Sequence, residues 1–237
     1  MSIDNVRMCV DKISSDSYII KDESGARAIS VAEKRWQNGQ TLRIRFLNGT
    51  PDVQERVKQF AVQWTSYANL KFQFVSSGPA DIRIEFANDN PPQSFSKVGT
   101  DALSVQDQNE ATMHYGWLFS NTSDEEYSRT VLHEFGHVMG LVHEHQNPAG
   151  GIKWNKPAVY AWCRRTQGWD EAQTDANFFG NYNNTITNYT QFDPNSIMLY
   201  SFPAELTLNG YSTTQSPVLS ETDKAFVAGQ YPFAANP

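Results

Sequence analysis

The chain has 237 residues, of which 39% are hydrophobic and 13% aromatic, and its formal net charge is -7 with a sequence pI of about 5.2. That length buries a substantial core in one compact unit, and the composition is too apolar for a disordered chain. The acidic balance argues against a nucleic-acid partner, and no apolar run approaches the roughly 20 residues that membrane insertion needs.

The opening MSIDNVRMCVDKISSDS lacks the basic and apolar blocks of a secretory signal. The compartment stays open: retention in the cell, another export route and a missing leader all fit. Two cysteines, Cys9 and Cys163, are too few for a disulfide framework. Asn48, Asn121, Asn183 and Asn188 match the N-x-S/T pattern, which is common by chance.

Residues 1–30 are polar and read as an N-terminal arm or short propeptide, with the folded domain over 31–237. Order begins near Trp36. TLRIRF (41–46) alternates as a half-buried strand does. Thr50 and Pro51 suit a helix N-cap and first position, and Val53, Val57, Phe60, Ala61, Trp64 and Ala68 follow as one apolar stripe. LKFQFV (70–75), DIRIEF (81–86) and ATMHYGW (111–117) read as three more strands, giving a twisted mixed sheet that carries helices. Next, Ser123 and Glu126 are spaced as a capping box, and Gly140 can close that helix in the left-handed conformation. Periodicity is then hard to find until SETDKAFVAGQYP, where Ser220 and Asp223 can cap a last helix and Gly229 can end it.

Four of the five histidines fall within LHEFGHVMGLVHEH (132–145). His133 and His137, four apart on a helix, share one face, as a zinc ion requires. Positions 140 and 141 hold no ligand type, but a turn at Gly140 brings His143 back towards the same point. Three neutral nitrogens leave a fourth position open, as catalytic zinc sites do, so one Zn2+ per chain is expected. Glu134, beside the first ligand, can reach a water on that metal. His145 and His114 lie outside the spacing and read as structural or exposed. Arg164, Arg165 and Lys153 suit a solvated face better than a basic pocket.

In H-E-x-x-H-x-x-G-x-x-H followed by Glu144, and in FDPNSIMLYSF (192–202) with Ser196, Met198 and Tyr200, the chain resembles the astacin-like metzincin metalloendopeptidases over about residues 36–231. The resemblance implies an α+β, two-lobed catalytic domain, with an N-terminal lobe to about 143 and an irregular C-terminal lobe from about 144 carrying a Met-turn. It implies that Met198 lies beneath the metal and that Tyr200 can be a fifth zinc ligand. Glu144 would pair with a mature amino terminus, although an exposed glutamate is equally economical. Leu141 and Leu199 replace a Phe and a His, and Asn147 and Ala149 replace an Arg and an Asp, so a distant microbial-type branch is expected.

The function so implied is that of a monomeric zinc endopeptidase acting on protein or peptide substrates. Glu134 would be the general base and acid, Tyr200 would aid the oxyanion, and ATMHYGW would pair with substrate as the edge strand. The alternatives are a catalytically silent zinc-binding module, against which Glu134 speaks, and a matrixin-like endopeptidase. Metzincins are often latent through an N-terminal ligand on zinc. The aspartate motif usual in the astacin-like group is missing, and Cys9 is the arm's thiol, within reach because 27 positions span up to about 90 Å. Cys9 buried without a role, or bonded to Cys163, is the competing expectation.

Overall fold

The computed structural model describes residues 6–10, 34–180 and 192–234. Asn183 and Asn188, and most of the 1–30 arm, lie outside these. Six strands form one sheet: β1 (Met8–Cys9), β2 (Thr41–Phe46), β3 (Lys71–Phe74), β4 (Ile82–Phe86), β5 (Gln93–Ser96) and β6 (Met113–Tyr115). Their spatial order is β1-β5-β6-β4-β2-β3, parallel throughout except for the antiparallel β5–β6 pair. The period-2 patterns put Leu42, Ile44, Ile82 and Ile84 in the core. Arg83 breaks the expectation for the other face. It is buried, and its guanidinium donates to the carbonyls of Ala80, Val105 and Glu110 in segments that cover the sheet there.

Among the described residues, five α-helices pack with the sheet or follow it: α1 (Pro51–Ala61), α2 (Asp124–Val138), α3 (Lys156–Gln167), α4 (Glu171–Thr174) and α5 (Glu221–Gln230). Thr50 and Pro51 do open α1, which tightens into a 3-10 turn over Val62–Ser66. Trp64 lies in that turn and donates to Leu132 O at 3.0 Å, tying it to α2. Ser220 and Asp223 form a reciprocal capping box on α5. Gly229 does not end that helix, which continues to Gln230. No helix among the described residues is long and apolar enough to cross a membrane.

Two expectations are corrected. ATMHYGW is not the edge: β6 lies between β4 and β5, and the outer position belongs to β5, with β1 of the arm added beyond it. QSFS escaped notice because its two serines are buried beside the single Phe95, so no apolar alternation marks it. The stretch after Gly140 also holds a regular helix, α3, with Val159, Trp162 and Cys163 buried. Pro157 near its start and Gly168 at its left-handed end were the available signals.

The buried side chains divide into two clusters. The larger joins the sheet, α1 and α2 with Ile197, Met198, Val227 and Tyr231. The smaller contains Met8 and Cys9 of the arm with Trp162, Cys163, Phe178, Tyr200, Phe202 and Leu206.

Candidate metal centre

Helix α2 carries the site. Ser123 Oγ accepts from Glu126 N at 3.3 Å, and three acidic residues fill the first turn, where they suit the helix dipole. Only this half of the expected capping box forms. The Glu126 carboxylate turns elsewhere, accepting from Trp117 Nε1 at 2.7 Å and from Arg129. At the other end Gly140 has φ 90. Gly140 N donates to His137 O at 2.9 Å and Leu141 N to Gly136 O at 3.0 Å, the paired closure that reverses a helix end. The reversal returns His143 to the face bearing His133 and His137.

The three imidazoles are buried, with ring centroids 5.1, 5.2 and 4.7 Å apart. His133 Nδ1 lies 2.8 Å from Ile197 O and His137 Nδ1 lies 3.0 Å from Leu141 O, so each Nδ1 is the donor and each Nε2 faces inward as an acceptor. His133 Nε2 has no hydrogen-bond partner, and His137 Nε2 sits 3.2 Å from His143 Nε2. Buried acceptors pointed at one another are costly unless a cation lies between them. Burial first, then the neighbouring imidazoles, pushes the His133 pKa well below its ordinary value, which keeps it a neutral ligand. Cys9 Sγ completes the group: four ligand atoms lie within 4.8 Å of one another. This donor set fits zinc.

Comparison with known proteins agrees. Residues 35–150 match the Matrixin family. The solved structure of myroilysin superposes with TM-score 0.82 at 44% identity, over 86% of this chain and 98% of that one. The chain belongs to the metzincin zinc metalloproteases. It carries a zinc endopeptidase domain with the metzincin fold, and its metal is zinc. Interstitial collagenase of Bos taurus is 32% identical over 129 residues, 46% of this chain and 26% of that protein. Serralysin B of Dickeya chrysanthemi is 29% identical over 159 residues, 61% of this chain and 32% of that protein. The match thus spans only a quarter to a third of these curated relatives. A hatching-enzyme zinc-protease of Oryzias latipes shares the fold, with TM-score 0.56 at 13% identity.

The metzincin's second signature packs under α2. A Cβ on Gly136 would lie 2.3 Å from Met198 Sδ, so only glycine lets Met198 come this close beneath the histidines. The turn around Met198 is held from α5: Ser196 Oγ donates to Asp223 Oδ1 at 2.7 Å and Ile197 N to Asp223 Oδ2 at 2.8 Å. Ser196 Oγ also accepts from Met198 N at 3.1 Å. Sequence reasoning gave Gly136 no role and saw Asp223 as a cap alone. The H-E-F-G-H spacing held the first signal, but nothing local could show the second.

Glu134 is buried, with Cys9 Sγ 3.5 Å from its Oε2 and 3.4 Å from His137 Nε2. The Tyr200 ring packs tilted against His143 with centroids 4.3 Å apart, and its hydroxyl donates to the backbone carbonyl of Cys9. Cys9 and Cys163 are both buried and form no disulfide with each other. Glu144 is half-buried and accepts from Asp193 N and Asn147 Nδ2, both at 2.9 Å. Burial raises its pKa to about 7 despite those bonds. Asn147, in place of the family's arginine, thus serves Glu144 directly.

His145 is buried outside the metal cluster, stacked on Tyr200 at 4.1 Å with Nε2 2.8 Å from Asn177 O. His114 is not in the ligand group and is held between Glu85 and Asp89. Lys153, Arg164 and Arg165 are exposed, and no basic pocket assembles from them.

Proposed function

We propose that the chain is a monomeric zinc endopeptidase that cleaves internal bonds of protein or peptide substrates and is held latent by its own Cys9. The observation that carries this is the convergence of three buried Nε2 atoms, the Glu134 carboxylate and the Cys9 thiol on one point. Zinc, when bound, supplies Lewis acidity that brings the pKa of water towards about 7 and polarises the scissile carbonyl.

The residues supply the rest. Glu134 accepts the proton of the attacking water and delivers it to the departing amide nitrogen. The Tyr200 hydroxyl, released from the Cys9 carbonyl, would donate to the oxyanion and could serve as a further ligand to zinc. Substrate lies extended along β5, the strand that the arm now covers. Met198 and Gly140 hold the site in shape, and Glu144 ties the segment after His143 to the turn at Asp193.

Latency follows from position. Cys9 Sγ fills the place a reacting water needs, while Val10 N donates to Ser94 O at 2.7 Å and Met8 N to Pro92 O at 3.3 Å. On branch, the Matrixin match and the collagenase and serralysin relatives favour that side of the metzincins. Ser196, Met198, Tyr200 and Glu144 speak for the astacin-like reading.

Elemental analysis should find one zinc per chain, largely lost in His143→Ala. X-ray absorption on the full chain should show a sulfur neighbour, and casein hydrolysis after arm removal should stop with a chelator. Stoichiometric zinc with no hydrolysis would make the protein a silent binding module, and a sulfur-free zinc shell would clear Cys9 of inhibition.

A further inference from the structure

The metal cluster leaves one feature of α2 unexplained, the turned-away carboxylate of Glu126. It sits seven positions before His133, on the same helical face as His133 and His137 and about 10 Å along the axis. Trp117 Nε1 donates to it at 2.7 Å, Arg129 Nε at 3.2 Å and Thr130 Oγ1 at 3.4 Å, and Arg129 is itself held by Gln215. It forgoes the helix cap that its spacing offers. The carboxylate is therefore aimed, and what it meets is the arm: Arg7 Nη1 lies 3.1 Å from Glu126 Oε1.

Arg7 stands two residues before Cys9, and in an extended strand such residues point the same way. With Cys9 at the three histidines, Arg7 reaches Glu126 on the same side. Gln167 Nε2 holds the backbone just before it, donating to Val6 O at 2.8 Å. Burial alone would raise the Glu126 carboxyl, but Arg129 and then Arg7 outweigh it and hold it below the usual carboxylate range.

We propose that Glu126 is a specificity-determining residue: once the arm has left, the place of Arg7 receives a basic side chain of the substrate, two residues from the bond that is cut. This rests on the endopeptidase reading above. An extended peptide beside β5 presents alternate side chains to α2 whichever way it runs, so the distance from the metal is fixed even though chain direction is not. Arginine suits the site better than lysine, because its planar, weakly hydrated guanidinium can share Oε1 with Trp117 and Arg129 as Arg7 does.

The test uses the full chain carrying Arg7→Ala and Cys9→Ala, which removes the thiol and the occupant together. Fluorogenic peptides with Arg, Lys, Ala or Glu at each position within three of the scissile bond are compared by kcat/KM. Arg two residues away should exceed Ala by roughly tenfold, a gain kept modest because the Arg7 side chain is 40% exposed, and higher salt should narrow it. The ratio should fall close to one with Glu126→Gln added. A ratio near one with Glu126 present, a ratio that survives Glu126→Gln, or a basic preference at another distance would each overturn the subsite.

Should Glu126→Gln fail to fold, inhibition of the same arm-disabled chain by Val-Arg-Met-Ala-Val and Val-Ala-Met-Ala-Val gives the comparison without touching α2. The arginine peptide should bind about tenfold tighter, and equal binding would sink the proposal. If no peptide is cut but the arginine peptide binds better by calorimetry, the endopeptidase reading falls and the subsite stands.

Discussion

The two hydrophobic clusters that meet at the metal centre are built from different material. The larger comes from regular strands and helices, with Leu42, Ile44, Ile84, Val57, Val131 and Phe135 each set by a repeating pattern. The smaller gathers Phe178, Tyr200, Phe202 and Leu206 from irregular segments and takes in Met8 and Cys9 from the arm. His133, Glu134 and His137 stand on the first. Tyr200 and Cys9 belong to the second, and His143 bridges them through its ring contact with Tyr200. Under the latency proposed above, metal holding would rest on the part that the arm does not pack. The groups that activation would change, Cys9 and Tyr200, sit in the part that the arm helps to pack.

The sharpest test of that division is Glu134→Gln, placed on the rigid side. All three histidines and both clusters remain, so zinc stoichiometry should be unchanged while kcat falls about 10² to 10⁴-fold, the range for a lost general base. Activity within a few-fold of wild type would mean that another group takes the proton. Met8→Ala probes the other side. Met8 is buried in the second cluster, and truncating a buried methionine costs about 2 kcal/mol or more. The arm should loosen from β5, and basal casein hydrolysis of the full chain should rise by tenfold or more with zinc still bound. A chain as silent as wild type would mean that the arm's hold does not depend on the second cluster.

The same contrast governs how much could be read from sequence. Everything that forms the zinc helix lies within about twenty consecutive residues: a cap at Ser123, ligands four apart, a glycine at the reversal. Local chemistry decides each of these, and each appears in the structure. The strands with apolar alternation were equally legible. β5 was not, since Ser94 and Ser96 are buried polar residues whose place is set by neighbouring strands rather than by their own pattern. Glu126 shows the limit most plainly. Its spacing from Ser123 predicts a backbone cap, and Trp117 and Arg129 draw it away instead, a choice made by tertiary packing. Cys9 was legible as a candidate ligand, but its pairing along β5 was not.

Gly136→Ala gives a smaller effect, and two opposing contributions set its size. Alanine improves helix propensity by about 1 kcal/mol, whereas its methyl must displace Met198 Sδ from 2.3 Å in a packed core, which costs about 1 to 3 kcal/mol. The packing cost should win by up to about 2 kcal/mol, lowering Tm by up to roughly 6 °C in a domain of this size. The loss should appear with the arm present or removed, because Met198 belongs to the first cluster. A stabilised variant would show that the Met198 side chain moves freely, and that the floor of the metal site is softer than the comparison between the clusters implies.

Tyr200→Phe should give the smallest change and the most informative one, because the hydroxyl serves opposite ends in the two states. In the full chain it donates to the Cys9 carbonyl, so its loss weakens the arm by about 1 kcal/mol, the usual net worth of one hydrogen bond. Basal hydrolysis should therefore rise about fivefold. After the arm is gone the same hydroxyl is free for the oxyanion, and its loss should lower kcat by a similar factor with little change in KM, as expected for a contact made only in the transition state. The ring still packs on His143 and stacks on His145, so zinc content should hold. Opposite signs before and after arm removal are the signature to seek. If kcat stays constant and only KM moves in the activated form, Tyr200 binds substrate without serving the oxyanion, and its part in the second cluster is to hold the arm alone.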